Sequence, residues 1–122
     1  MKTILDFPLD QMFRRVIRFI SLTTADQIID DEIVPPGRIH IIQRLGFLSP
    51  DGAFNYLYAG PYDGAEWYMS EWWTGGSTET LFMMRDPIYL FEGDRLRIKV
   101  TNLTAGEVLE CYIQGFYAEI ER

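Results

Sequence analysis

Polar and apolar residues alternate most regularly in Arg95-Leu96-Arg97-Ile98-Lys99-Val100-Thr101, where even positions are apolar and odd positions charged or hydroxylated. A period of two marks a half-buried strand with one wet and one dry face. Asn102-Leu103-Thr104-Ala105-Gly106 supplies turn chemistry, and residues 107–114 resume the alternation with Leu109, Cys111 and Ile113 on one side. The pattern predicts a hairpin that closes a β-sandwich. Past Ile113 the apolar phase moves to Phe116, Ala118 and Ile120, and this slip across Gly115 predicts a β-bulge.

The same signal recurs upstream. Ile39, Ile41, Leu45 and Phe47 line one face of a strand, with His40, Ile42 and Arg44 on the other, until Ser49-Pro50-Asp51-Gly52 turns the chain. Phe54, Tyr56 and Tyr58 alternate along a third strand that ends at Gly60-Pro61-Tyr62-Asp63-Gly64. A fourth covers residues 65–73, with Trp67, Met69 and Trp73 on one face, and Gly75-Gly76-Ser77 breaks it. A short strand over 81–84 and another from Ile88 to Phe91 follow, and Glu92-Gly93-Asp94 reads as a bulge or tight bend. Residues 26–32 read as an acidic loop. Ile33-Val34-Pro35-Pro36-Gly37-Arg38 then sets a tight entry into the next strand.

The first 22 residues admit two readings. Leu9, Met12, Phe13, Val16, Ile17 and Ile20 follow helical spacing, whereas residues 16–24 are rich in β-branched and aromatic side chains. A short helix or extended arm over residues 1–12, then a strand from about Arg14, is the favoured reading; a helix throughout is the other. The fold class is all-β: one antiparallel, jelly-roll-like β-sandwich over 13–122 with an N-terminal arm or helix.

Composition narrows the functions. At 122 residues the chain has room for one cored domain. The net charge of −7 repels a phosphate backbone, and Arg14, Arg15 and Arg18 are the only basic cluster, so nucleic acid is not an expected partner. No basic-then-apolar leader and no apolar run of membrane-spanning length is present, so neither secretion nor a membrane partner is expected and synthesis in a cytoplasm follows. Asn102-Leu103-Thr104 matches a glycosylation acceptor but is better read as a turn.

Catalytic candidates are few. His40 is the only histidine, which rules out a multi-histidine metal site and leaves a structural or interface role as the simpler reading. Cys111 sits on a dry strand face beside Glu110, a setting for a small hydrophobe and not for a nucleophile. Asp30-Asp31-Glu32 lacks the spaced ligands of a calcium loop. Asp63, Glu66 and Glu71 stand among Tyr62, Trp67, Tyr68, Trp72 and Trp73, the one carboxylate group with a setting that suits sugar chemistry. No catalytic residue, metal site or cofactor is assigned.

Aromatic residues are abundant, at 15% of the chain. Adjacent pairs such as Trp67-Tyr68 and Trp72-Trp73 must place one ring on each face of a strand. Tyr68 and Trp72 are therefore expected on an outer face as subunit anchors, with Phe7 and Leu9 of the arm as further interface residues. The alternative is a carbohydrate-binding strand using Tyr62, Asp63, Glu66, Tyr68 and Trp72.

The entry Val34-Pro35-Pro36-Gly37-Arg38-Ile39-His40-Ile41-Ile42, the later Ile88-Tyr89-Leu90-Phe91-Glu92-Gly93-Asp94-Arg95-Leu96-Arg97-Ile98 and the Thr104-Ala105-Gly106 turn together resemble small jelly-roll structural proteins of tailed bacteriophages. The resemblance runs over roughly residues 14–120. It implies a noncatalytic virion component, of the capsid-decoration, head-fibre or tail-attached type, often a homotrimer that contacts other virion proteins. It assigns no catalytic residue, and the aromatic excess around Trp67 to Trp73 lies outside it.

Overall fold

A computed structural model describes residues 11–21, 26–48, 56–74, 86–101 and 106–120. Eight strands are present among them: β1 (Met12–Ile20), β2 (Gln27–Asp30), β3 (Arg38–Leu48), β4 (Tyr56–Tyr62), β5 (Glu71–Thr74), β6 (Ile88–Leu90), β7 (Arg95–Val100) and β8 (Val108–Glu119). They form two antiparallel four-stranded sheets, sheet A in the order β1-β8-β3-β6 and sheet B in the order β2-β7-β4-β5. The pairs β4–β5, β3–β6, β2–β7 and β1–β8 nest one outside another and fall alternately in the two sheets, which is jelly-roll wiring. The all-β sandwich expected from the alternation is what forms.

Each strand turns one row of side chains inward. Leu96, Ile98 and Val100 of β7 meet Leu109, Cys111 and Ile113 of β8 in one core, with Phe47 tilted against Trp73 at 5.3 Å between ring centroids. Each fully buried Leu, Ile or Phe here stabilises the sandwich by about 1.5–3 kcal/mol. Phe13, Ile17 and Phe19 of β1 pack on the margin of this core.

Several local expectations are corrected. β7 and β8 are not a hairpin: β7 pairs with β2 and β4, and β8 with β1 and β3, so the two strands lie in different sheets. Of the two readings of Glu92-Gly93-Asp94, the tight bend is the one that forms: it carries the chain from sheet A to sheet B, with Gly93 at φ 90° and Asp94 N–H donating to the Phe91 carbonyl. Part of the supposed acidic loop is the edge strand β2. The helix-throughout reading fails for residues 12–20, which pair in unbroken antiparallel register with β8 from Met12↔Phe116 to Ile20↔Val108. The fourth strand is shorter than expected, because residues 63–66 form a turn and only Glu71–Thr74 is regular. Residues 1–10, with Phe7 and Leu9 of the arm, and the strand expected over 81–84 lie outside the described residues.

The bulge lies where the sequence places it but on the other strand. β8 keeps its register with β1 straight through Gly115, while the β3–β8 register shifts between Ile42 and Arg44, making Gln43 the extra residue. This reverses half of β3. His40 and Ile42 point inward together with Leu45 and Phe47, and Ile39 and Ile41 point out.

Candidate functional site

The outer face of sheet B gathers the aromatic residues. Its strands are half-buried, so alternate side chains must face away from the core: Ile28 and Asp30 of β2, Arg95, Arg97 and Lys99 of β7, Tyr56, Tyr58 and Tyr62 of β4, and Trp72 of β5. Register aligns Ile28, Lys99, Tyr58 and Trp72 in one row across all four strands, about 14 Å wide. Trp72 is 60% exposed and Ile28 54%. Tyr56 lies 6.1 Å from Tyr58 with rings inclined at 28°, and 6.4 Å from Trp72. The result is a continuous aromatic platform.

Beside it the charges are internally satisfied. Arg97 makes a two-pronged pair with Asp30, at 2.8 and 2.9 Å, and its guanidinium stacks 3.5 Å above the Tyr62 ring. The Asp30 hydrogen bond is the first cause holding Arg97 above its usual range, so it stays cationic. Arg95 approaches Asp30 at 3.8 Å and Lys99 approaches Asp26 at 3.7 Å.

The residues expected to bind sugar divide between two places. Trp72 lies on the platform, whereas Asp63, Glu66 and Tyr68 cluster at the tip between β4 and β5, beyond Tyr62. Asp63 Oδ1 accepts the N–H groups of Ala65 at 2.8 Å and Glu66 at 2.7 Å, and these bonds, Glu66 first, hold its carboxyl below the ordinary range. The Glu66 charge, then that of Asp63, pushes the Tyr68 hydroxyl up. Tyr62 donates its hydroxyl to the Gly64 carbonyl at 3.0 Å, and Trp67 Nε1 donates to the Gly60 carbonyl at 3.2 Å. Asp63 is thus a turn-forming carboxylate whose Oδ1 is taken by backbone N–H groups.

Glu71 does not join them. It pairs with Ala59, three residues from Tyr62 or about 10 Å along β4, and is buried on the inward side with Trp73. The three carboxylates therefore do not converge on a shared substrate position, and no paired-carboxylate chemistry follows from them.

Cys111 is fully buried, and burial first, then the Asp31 charge, pushes its thiol up to about 12. A thiol so placed stays protonated and packs as a hydrophobe. Among the described residues no group of three or more His, Cys, Asp and Glu side chains could hold a metal ion.

His40 occupies an unexpected position. The bulge turns it inward, 8% exposed, between the rings of Phe13 at 5.1 Å and Tyr117 at 6.2 Å. Among the described residues neither ring nitrogen has a hydrogen-bond partner. Desolvation, then the Arg15 and Arg38 charges, lowers its pKa from the ordinary 6.5, against smaller opposing effects of Asp31 and Glu32. The native protein therefore holds a neutral imidazole where the unfolded chain binds a proton at mildly acidic pH. Below about pH 6.5 the unfolded state takes up more protons, so stability should fall with pH there and level off above it. Urea midpoints between about pH 7.5 and pH 5.5 test this, and His40→Phe should flatten the slope across that window. An equal slope in parent and variant would show that carboxylates, not His40, set it.

Tyr56, Tyr58, Ile28 and Arg97 are members of the platform that sequence reasoning did not assign to a site. Tyr56 and Tyr58 were visible as an alternating pair, but their alignment with Trp72 and Ile28 depends on register. Compared with protein-family models, with curated proteins and with solved structures, the chain matches none.

Proposed function

We propose that this chain is a noncatalytic assembly module, a virion structural protein of the kind its sequence resembles, which self-associates through the outer face of sheet B. The carrying observation is the exposed row Ile28, Lys99, Tyr58 and Trp72, with Tyr56 beside it and Arg97 stacked on Tyr62. Trp, Tyr and Arg are the residues whose truncation most often disrupts protein interfaces. Two carboxylates, Asp26 and Asp30, already pair with the three cations of this face. A second copy thus meets a nearly neutral surface although the whole chain carries −7. A homotrimer is the order the resemblance implies, and other virion proteins are the surface to which it attaches.

Light scattering after gel filtration tests the reading. The parent should be oligomeric at micromolar concentration, and the double variant Tyr58→Ala, Trp72→Ala should dissociate about a hundredfold more readily or run as a monomer. Both substituted side chains face outward, so the fold should persist. A parent that remains monomeric at all accessible concentrations would remove the proposal.

One observation favours a second reading, carbohydrate binding. Tyr56 and Tyr58 present nearly parallel rings with Trp72 close by, a surface on which a sugar ring can stack. Titration with bacterial surface glycans, followed by tryptophan emission, distinguishes it: saturable changes lost in Trp72→Ala would favour the sugar. Turnover of the glycan would contradict both readings.

A further inference from the structure

The described cations divide sharply into paired and unpaired. Arg15 pairs with Asp31, Arg95 and Arg97 with Asp30, and Lys99 with Asp26, while Arg38 lies over the Tyr117 ring at 4.1 Å. Arg14, Arg18 and Arg44 are exposed, and among the described residues none of the three has an ion pair, hydrogen bond or ring contact. All three stand on the outer face of sheet A, opposite the aromatic platform. Even positions of β1 point outward, and beyond the Gln43 bulge Arg44 of β3 points to the same side, opposite buried Leu45 and Phe47.

Register arranges them around an apolar centre. Arg14, Gln114 and Arg44 form one row across β1, β8 and β3. Val16, Tyr112 and Gly46 form the next but one along each strand, and Arg18, Glu110 and Leu48 the one after. Arg14 and Arg18 are about 13 Å apart along β1, and Arg14 and Arg44 about 10 Å apart across two strand spacings. Between them Val16 is 56% exposed and Tyr112 also reaches solvent. Among the described residues the carboxylate beside this triangle is Glu110, which stands opposite Arg18 and accepts the Tyr112 hydroxyl at 2.8 Å. The face is locally cationic on a chain of net charge −7.

We propose that the outer face of sheet A is a docking surface for an acidic protein, one whose Asp and Glu side chains surround an apolar contact for Val16 and Tyr112. Charge complementarity selects the partner's sign, and the apolar centre selects a protein over a polyphosphate. A protein surface can bring carboxylates to three separate arginines and still bury Val16, whereas a nucleic-acid backbone offers no apolar centre and is repelled by the chain as a whole. The partner differs from the second copy on sheet B, so the module has two independent faces: one for self-association, the other for attachment.

The probe is a short fluorescein-labelled peptide of Glu with interspersed Leu and Tyr, titrated with the full chain at low salt and followed by anisotropy. The parent should bind saturably and more weakly as salt rises, while a Lys-for-Glu version of the peptide should not bind. Arg14→Glu, Arg18→Glu, Arg44→Glu should lose at least about tenfold in affinity, and the corresponding triple lysine variant should retain most of it. Because the three side chains hold nothing in the fold, the thermal midpoint of the lysine variant should match the parent. Tyr58→Ala, Trp72→Ala should bind the peptide as the parent does, which separates this face from the assembly face. No binding by the parent, or unchanged binding by the glutamate variant, would overturn the proposal. So would duplex DNA that binds as tightly as the peptide, which would point to a phosphate ligand instead.

Discussion

Gly115→Ala should cost about 3 kcal/mol or more, the upper range for forcing an atom into packed structure, and should unfold the sandwich at a much lower temperature. A Cβ at this position would stand 2.1 Å from the Ile41 carbonyl oxygen and 3.1 Å from Ile42 Cα. Both obstacles are β3 backbone, held by β8 on one side and by β6 on the other through Ile41↔Tyr89 and Ile42↔Ile88. A side-chain tip could swing aside; a doubly paired strand cannot. Relief requires breaking the ladder next to the Gln43 bulge, where register is already irregular. Chemical unfolding followed by circular dichroism measures the loss, and a change under about 1 kcal/mol would mean that β3 and β8 do not approach so closely. Gly60→Ala meets the same problem at the Tyr68 carbonyl oxygen, and its effect should centre on the β4–β5 tip.

The second large effect is expected at Asp31. Arg15 reaches inward from β1 and meets Asp31 through two hydrogen bonds, Nε to Oδ1 at 3.2 Å and Nη2 to Oδ2 at 2.5 Å. The Asp31 side chain is 3% exposed and that of Arg15 23%. Breaking a fully buried pair costs about 3–5 kcal/mol, but Arg15 keeps some contact with water, so Asp31→Ala should cost about 2–3 kcal/mol. The paired variant Arg15→Met, Asp31→Leu should recover most of this loss, because two apolar side chains remove the stranded charge as well as the bond. Thermal unfolding of the single and double variants measures the difference. If the double variant is as unstable as Asp31→Ala, the pair is not what holds β1 to the β2–β3 connection. Loss of Asp31 also removes one of the two carboxylates that oppose the lowering of the His40 pKa, so the acid sensitivity described above should sharpen.

The sandwich and its aromatic surface were legible in different degrees. Alternation in residues 95–101 and 107–114 is enforced by local geometry, since any strand half-covered by a core must show it, and both segments are strands. Exposure of Trp72 followed from the same rule applied to the Trp72-Trp73 pair; Tyr68 is exposed as well, but at the β4–β5 tip, outside any strand. The pairing of those strands was not legible. Turn residues between β7 and β8 looked like a hairpin, but turn chemistry reports that the chain reverses and not which sheet receives it. β2 was missed because four residues are too few for a periodic signal to rise above the surrounding acidic composition.

Sequence by itself determined the all-β class and the presence of one histidine and one cysteine, because these depend on residue type and on a period of two. Only the tertiary structure decided which faces those residues share. One extra residue at Gln43 moved His40 from the expected outer side to a desolvated site between Phe13 and Tyr117, while Arg44, beyond the bulge, kept the outer side expected for it. Register across β2, β7, β4 and β5 brought Ile28, Lys99, Tyr58 and Trp72 into one row although 44 positions separate the first from the last. The physical reason is that side-chain period within a strand is local, whereas bulges and cross-strand register are settled by the packing of two sheets against each other.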